Sequence, residues 1–310
     1  STPIKSSAAS DVYKRQNYRS RIKTENEISY RMEGKRMKFE NIKTYNFGPA
    51  LKGMRNPLES WNKSDSFFGL INIEDSQHDY EVAETWVQET KDPAYPETYS
   101  KASSDLADDY DRWLLKNGLL EIDFDHQVAN VAFIGPNDMD LAKRLIKAGP
   151  EHRKFLRQIM VTVDITAPLF WYKEFDTYKI GTTANSTSTM HKLTSKPITL
   201  DCFETGDYCP DIITSGEEID YLIQFLEGLR QKYIATKDKR YWKELVRWLP
   251  ESWLQTRTVT MSYENIRTMI QQRKGHKLVE WSKTDGIDSE LDSFIKFAKY
   301  LPYADDFLFE

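Results

Sequence analysis

Apolar and polar positions alternate most cleanly over IMVTVDI (159–165), where Val161, Val163 and Ile165 stand opposite Thr162 and Asp164. That period predicts a half-buried strand. MKFENIKTYNF (37–47) has the length and β content of a second strand. GPALKGMRNPLESWNKSDS (48–66) puts Gly, Pro, Asn and Ser turn signals around a short helical piece, and 85–101, with its prolines, reads as a loop. Helical spacing takes over in SSDLADDYDRWLLKNGLL (103–120), where Ser104 is a candidate cap and Leu106, Tyr110, Trp113 and Leu114 share a face. NDMDLAKRLIKAGP (137–150) predicts a helix capped by Asn137, lined by Leu141 and Leu145 and stopped at Gly149-Pro150. Ser215-Gly-Glu-Glu218 has capping-box spacing and opens the strongest helix, with Ile219, Leu222, Ile223, Leu226 and Leu229 on one stripe. Further helices are expected at 240–249, 262–276 and 288–300, the first ended by Leu249-Pro250. The expected class is α+β, a central sheet with packed helices.

Composition narrows the picture. Of 310 residues, 39% are hydrophobic and 13% aromatic, enough for a sizeable core. Net charge is −5 and the pI near 5.7, which argues against a general nucleic-acid or anionic-membrane binder. No apolar run approaches the roughly 20 residues of a spanning helix. Cys202 and Cys209 fit neither a zinc knuckle nor a disulfide framework, so two ordinary thiols and a cytoplasmic location are expected. STPIKSSAASDVYKRQ (1–16) is polar and aperiodic, and its DVYKRQ looks like a translated library-adapter sequence. Residues 1–16 are therefore expected to be a non-native or disordered leader, and 17–310 a single domain.

The sequence carries no P-loop, no dinucleotide-binding glycine fingerprint, no His-Glu-x-x-His and no G-x-S-x-G elbow. His78, His126, His152, His191 and His276 are scattered. What stands out is Gly181 to Thr189, built from small and hydroxyl residues. Such a run cannot fill a core, but it can offer hydroxyls and backbone N–H groups to a ligand. The second feature is the basic stretch QQRKGHKLVEWSK (271–283).

From residue 141 onward the order of features resembles the flavin-dependent thymidylate synthases. LAKRLIKAGPEHRKF, MVTVDITAP and LFWYKEFDTYKIGTTANSTSTMHKL match that family's helix, its His-containing turn, its strand ending in a small residue and Pro, and its signature loop. VRWLPESWLQTRTVTMSYENIRTMIQQRKGHKLVEW supplies the Arg before Leu-Pro, the Thr-rich stretch, the Asn-x-Arg on a helix and a further Arg. The resemblance covers residues 140–283 and rests on the ordered set. The chain departs from the pattern in the loop: Thr177-Tyr178-Lys179 stands for Arg-His-Arg, Glu174 for a Gln, and Asn185-Ser186-Thr187-Ser188 for Asn-Glu-x-Ser. Residues 48–136 and 194–240 exceed the family's usual core.

The resemblance implies a reduced FAD, which carries the redox chemistry, with NADPH and a folate one-carbon donor, acting on a pyrimidine deoxynucleoside monophosphate in a cytoplasmic homotetramer. It implies no nucleic-acid or membrane partner. It gives Lys179, Ser188 and Arg273 catalytic positions, and His152, Tyr178, Lys179, Asn265 and Arg267 to the flavin. Glu174, Thr187, Ser188, Lys192, Arg247 and Arg273 go to the substrate, whose phosphate needs cations and N–H or O–H donors. Plainer readings stand beside these. Lys179 and Lys192 can be solvated charges, Thr187 and Ser188 turn residues, His152 a helix-end residue, and Arg267 a helix-surface partner of Glu264. Tyr178 either replaces the family histidine or simply packs, and Phe170 and Trp171 suit a dry subunit interface. Two other functions remain open: a diverged paralogue that binds nucleotide or flavin without making thymidylate, and a phage-encoded helical interaction protein using 271–283 as a basic contact helix.

Overall fold

The computed structural model describes residues 36–72, 120–123, 128–206, 217–285 and 291–310. Its strands are β1 (Lys38–Tyr45), β2 (Phe67–Asn72), β3 (Leu120–Asp123), β4 (Val128–Phe133), β5 (Met160–Pro168), β6 (Thr183–Ser186) and β7 (Leu254–Ser262). Its helices are α1 (Phe47–Arg55), α2 (Pro136–Ala148), α3 (Leu169–Phe175), α4 (Glu217–Thr236), α5 (Lys239–Arg247), α6 (Tyr263–Arg273), α7 (Val279–Ser282) and α8 (Phe294–Tyr300). The class is α+β. The chain divides into two compact units. One comprises Ser1–Met37, Thr166–Phe175 and Ser186–Thr256, the other Lys38–Ile165, Asp176–Asn185 and Arg257–Glu310.

In the second unit the main sheet has the order β1-β5-β7-β6. The alternation read in 159–165 holds: Val161, Val163 and Ile165 are fully buried, Thr162 and Asp164 half-buried. Thr162 and Thr260 share a hydroxyl hydrogen bond of 3.0 Å, and Asp164 accepts one from Thr258, so β5 and β7 run antiparallel. The Thr258 hydroxyl, with the Asn41 amide, holds the Asp164 carboxyl below the usual carboxylate range. A separate antiparallel sheet, β2-β4-β3, pairs Phe67 with Phe133 and Leu120 with Val131. Aromatic rings fill the core of this unit. Phe39 stacks on Phe297 at 4.5 Å, Phe47 meets Tyr263 edge-on at 5.7 Å, and Phe155 meets Phe307 at 5.7 Å. These offset and edge-on contacts are the geometries that ring quadrupoles favour.

Helix α2 forms where its pattern predicts, but the details differ. Its N-cap is Gly135, and the Asp65 carboxylate accepts from the N–H groups of Asn137 (2.8 Å) and Asp138 (3.1 Å). A carboxylate at the positive end of the helix does the work expected of Asn137. Asp65 lies so close to Gly135 that a Cβ there would sit 2.3 Å from its backbone oxygen. Asp138, Ala142 and Ile146 form the buried stripe, whereas Leu141 and Leu145 are half-buried. Asp138 can go inside because Arg55, Ser64 and Ser66 all donate to its carboxylate.

The first unit has its own core of Leu193, Ile198, Phe203, Leu226 and Leu245. Trp171, which belongs to this unit, is completely buried, stacked on Phe175 at 5.0 Å and edge-on to Tyr172, rather than presented at a dry surface. On α4 only Leu226 of the predicted stripe is buried; Ile219, Ile223 and Leu229 are half-buried and Leu222 is exposed. Asp238 caps α5, accepting from the Arg240 N–H at 2.9 Å. The expected helices at 262–276 and 288–300 appear as α6, ended at Arg273 two residues before Gly275, and as α8. The loop expected at 85–101, the cap Ser215 and the leader 1–16 lie outside the described residues, as does the helix expected at 103–120 except for Leu120, which opens β3 instead.

Candidate functional site

The site is built on the turn that leaves α3. Asp176 to Gly181 belongs to the second unit and is pinned within it at three points. The Asp176 carboxylate accepts from Arg257 at 2.6 Å. The Tyr178 hydroxyl donates to Gln272 Oε1 at 2.9 Å and accepts from Arg273 Nε at 2.9 Å. The Ile180 carbonyl accepts from Asn265 Nδ2 at 2.7 Å. Gly181 then turns with φ 76°, and a Cβ on it would lie 3.0 Å from Asn265 Oδ1. Both the left-handed backbone and the close side chain call for glycine.

Asn265 is the third residue of α6 and completes a capping box. Its Oδ1 accepts from the Ser262 N–H (3.2 Å) and hydroxyl (2.6 Å), and Ser262 Oγ accepts from the Asn265 N–H (3.3 Å). Sequence reasoning did not single out this capping box at Ser262, because Asn replaces the usual Glu or Gln at the third position. Two turns on, Arg273 closes the helix. Its guanidinium carbon lies 5.6 Å from the Tyr178 ring centre and 5.2 Å from that of Trp281, within cation–π range of both. A cation also suits the negative end of the helix.

Trp281 is completely buried and fixed from behind. It packs on Phe294 at 5.2 Å and lies 6.5 Å from the His276 ring. Lys283 and Lys296 both pair with Asp292, at 2.6 and 2.9 Å, while Ser293 Oγ donates to the Lys283 carbonyl. Burial pushes the Asp292 carboxyl up, and hydrogen bonds from the two lysines outweigh that, leaving it below its ordinary value. The clamp ties α7, which carries Trp281, to α8. His276 Nδ1 accepts the Leu278 N–H at 3.1 Å, placing the proton of a neutral ring on Nε2.

The remaining predicted residues are distributed as follows. Lys179 is exposed on the pinned turn, with no carboxylate partner among the described residues. His152 is exposed in the turn after α2, its N–H donating to the Gly149 carbonyl at 3.0 Å. Arg267 is buried and donates to the carbonyls of Phe307 (3.1 Å) and Glu310 (2.5 Å). Desolvation, with Arg153 nearby, lowers its pKa. Its expected partner Glu264 instead forms a two-pronged pair with Arg153. The geometry thus gathers Tyr178, Lys179, Asn265 and Arg273 on one turn-and-helix assembly and turns Arg267 toward the C-terminal segment.

In the first unit, Glu174 is half-buried on α3. Thr187 is tied to the start of β7: its N–H donates to the Thr256 carbonyl (2.9 Å) and its carbonyl accepts from Gln255 Nε2 (2.7 Å). Ser188 Oγ accepts the His191 N–H at 3.0 Å, and its carbonyl accepts the Lys192 N–H at 3.0 Å. Arg247 pairs with Glu244 at the exposed end of α5. The run 181–189 is not a simple loop, because Thr183–Ser186 forms β6 at the edge of the main sheet with all four side chains exposed. A strand of small and polar side chains, here Thr-Ala-Asn-Ser, can still pair through its amides and carbonyls.

Sequence reasoning missed Gln272, Trp281 and the Asp292 clamp. Trp281 and Gln272 lie inside the 271–283 stretch noted for its basic charge, and nothing in their spacing shows that they meet Tyr178. Among the described residues no cluster of three or more His, Cys, Asp or Glu is placed to hold a metal ion, and no helix is long and apolar enough to cross a membrane.

No protein-family model matches the chain, and no curated protein matches it. Solved structures do. Thymidylate synthase X from Helicobacter pylori with FAD and dUMP is 11% identical at a TM-score of 0.48, over 89% of this chain and 97% of that one. A second structure of the H. pylori flavin-dependent thymidylate synthase, complexed with FAD and dUMP, is 14% identical at 0.41 over 57% and 83%. The UMP/dUMP methylase PolB from Streptomyces cacaoi, bound with 5-Br UMP, is 12% identical at 0.38 over 56% and 82%. Similarity at this level assigns none of those ligands to this chain.

Proposed function

We propose that this chain is a diverged protein of the flavin-dependent thymidylate synthase type that binds a pyrimidine nucleoside monophosphate, with Arg273 as the principal recognition residue. One observation carries the reading. The family pattern assigns the loop at 177–179 and the arginine at 273 to one site, and Tyr178 and Arg273, 95 residues apart, are joined by a 2.9 Å hydrogen bond. A guanidinium oriented by the Tyr178 hydroxyl and flanked by two aromatic rings presents a planar, charged group suited to acceptor oxygens, on a pyrimidine edge or a phosphate. Lys179, on the same turn, adds a mobile positive charge for the phosphate. The reaction implied by the resemblance is methyl transfer to dUMP with reduced FAD.

A second reading, binding without turnover, is favoured by the flavin positions. Asn265 is occupied by its own helix cap and by Ile180, and Arg267 by the carbonyls of Phe307 and Glu310. As placed, these two do not fit a flavin-holding role. The visible spectrum of the full chain incubated with FAD, taken before and after desalting and then during dUMP titration, separates the readings. Retained flavin whose spectrum shifts with dUMP supports the enzyme. Saturable dUMP binding by calorimetry without retained flavin supports the binding protein. Neither signal would remove both.

A further inference from the structure

Tyr178 meets Arg273 through a hydroxyl, and a hydroxyl can face a cation in two ways. Its oxygen accepts from the guanidinium only when its single proton is directed elsewhere. Arginine donates and never accepts, so a proton aimed at it would set two donors against each other. The 2.9 Å bond from Arg273 Nε to the Tyr178 oxygen therefore calls for a second acceptor, one that takes the tyrosine proton. Gln272 supplies it: the Tyr178 hydroxyl donates to its Oε1 at 2.9 Å.

Gln272 and Arg273 are consecutive on α6, and adjacent helix residues point about 100° apart and do not face each other. One tyrosine oxygen nevertheless joins the two side chains and ties both to the pinned turn. The hydrogen bonds run in one direction, from Arg273 to Tyr178 and from Tyr178 to Gln272. A hydroxyl that donates becomes a better acceptor, so each bond strengthens the other. Gln272 is exposed, and among the described residues its side chain bonds to Tyr178 alone. Neither core burial nor a helix-surface pair accounts for it.

We propose that Gln272 is a positioning residue for Arg273, acting through the direction of the Tyr178 hydroxyl. It holds that hydroxyl as an acceptor, which keeps Arg273 Nε on the tyrosine and the guanidinium beside the rings of Tyr178 and Trp281. This role rests on the nucleotide site proposed above, with Arg273 at its centre. Glutamine suits it because an amide oxygen accepts without bringing a negative charge. A glutamate at 272 would also accept, but it would repel an anionic ligand. A lysine would only donate, and would leave the hydroxyl proton facing a cation on each side.

Two measurements on the full chain test the role, with far-UV circular dichroism confirming helix content in each variant. In the ligand-free protein with isotope-labelled arginine side chains, NMR follows exchange of the Arg273 Nε–H with water. Arg273→Lys identifies the signal by removing it. Gln272→Met keeps the side-chain length and removes the acceptor, and should speed exchange about 3- to 10-fold, the range of one net hydrogen bond. Gln272→Glu, which restores an acceptor, should bring the rate back to within about 2-fold of wild type. By calorimetry, dUMP affinity should fall about 3- to 10-fold in Gln272→Met and at least as far in Tyr178→Phe. In a Tyr178→Phe background Gln272→Met should add less than about 2-fold, because the hydroxyl through which it acts is gone. An exchange rate in Gln272→Met within about 1.5-fold of wild type overturns the proposal, as does a glutamate variant that exchanges as fast as the methionine one. So does an undiminished effect of Gln272→Met in the Tyr178→Phe background, which would set Gln272 against the ligand itself. A wild type that binds no dUMP removes the nucleotide site, while the exchange rates still decide whether Gln272 positions Arg273.

Discussion

Arg267 and Arg273 stand on the same helix, less than two turns apart, and do different things. Arg267 is buried and donates to two backbone carbonyls of the C-terminal segment. Arg273 is half-buried, donates to a tyrosine hydroxyl, and lies within cation–π distance of two rings. A guanidinium bonded to main-chain carbonyls is part of the fold, since moving it would leave those carbonyls and its own charge unsatisfied. One steadied by an aromatic frame is oriented without being buried, the condition for meeting a ligand. Residue type and helical position do not separate the two; their surroundings do.

The sharpest way to break this contrast is Arg267→Met. It should cost about 3 kcal/mol of stability through the orphaned carbonyls, read as a lower melting midpoint, and leave nucleotide affinity of the folded fraction within about 2-fold. A large loss of affinity at unchanged stability would return Arg267 to the ligand. Arg273→Ala should do the reverse: stability changes by less than about 1 kcal/mol, while dUMP affinity measured by calorimetry falls about 10- to 100-fold. Unchanged affinity would remove Arg273 from the site.

A smaller effect comes from a third arginine, which holds the fold of the first unit through a carboxylate. Arg230 grips Glu227 at 2.7 Å through two nitrogens and also donates to the Thr194 carbonyl, while Glu227 accepts the Ile198 N–H at 2.8 Å. Hydrogen bonding from Arg230 outweighs desolvation and holds the Glu227 carboxyl at about 2. Because that value is depressed below the roughly 4.3 of a free glutamate, the stabilisation is complete above that pH and is lost as pH falls toward 2. Glu227→Gln should lower stability at pH 7 by about 1–2 kcal/mol and flatten this acid limb in pH-dependent thermal melts. An unchanged limb would mean that other carboxylates set it.

Elements were legible wherever one face repeats. The alternation at 159–165 specified β5, and the apolar runs specified the existence of α2, α4, α5 and α6, because burial of one face follows directly from periodicity. The α+β class followed from those elements. Side-chain pairings across the fold were not legible. Asn137 was a sound cap candidate until Asp65, 72 residues away, occupied that helix end. Glu264 was a sound partner for Arg267 until Arg153, 111 residues upstream, took it. The polar run 181–189 read as a loop because its hydroxyls say nothing about the edge strand that its backbone forms.

By itself, the sequence determined the segments with a clear period, β1, β5, α2, α4, α5 and α6, and which residues have the chemistry to bind an anionic, planar ligand, since both are properties of local pattern and residue type. Only the tertiary structure decided that Arg273 is framed by Tyr178 and Trp281 while Arg267 is committed to main-chain carbonyls. Hydrogen bonds and ring contacts depend on distances between segments far apart in the chain, and no local pattern encodes those.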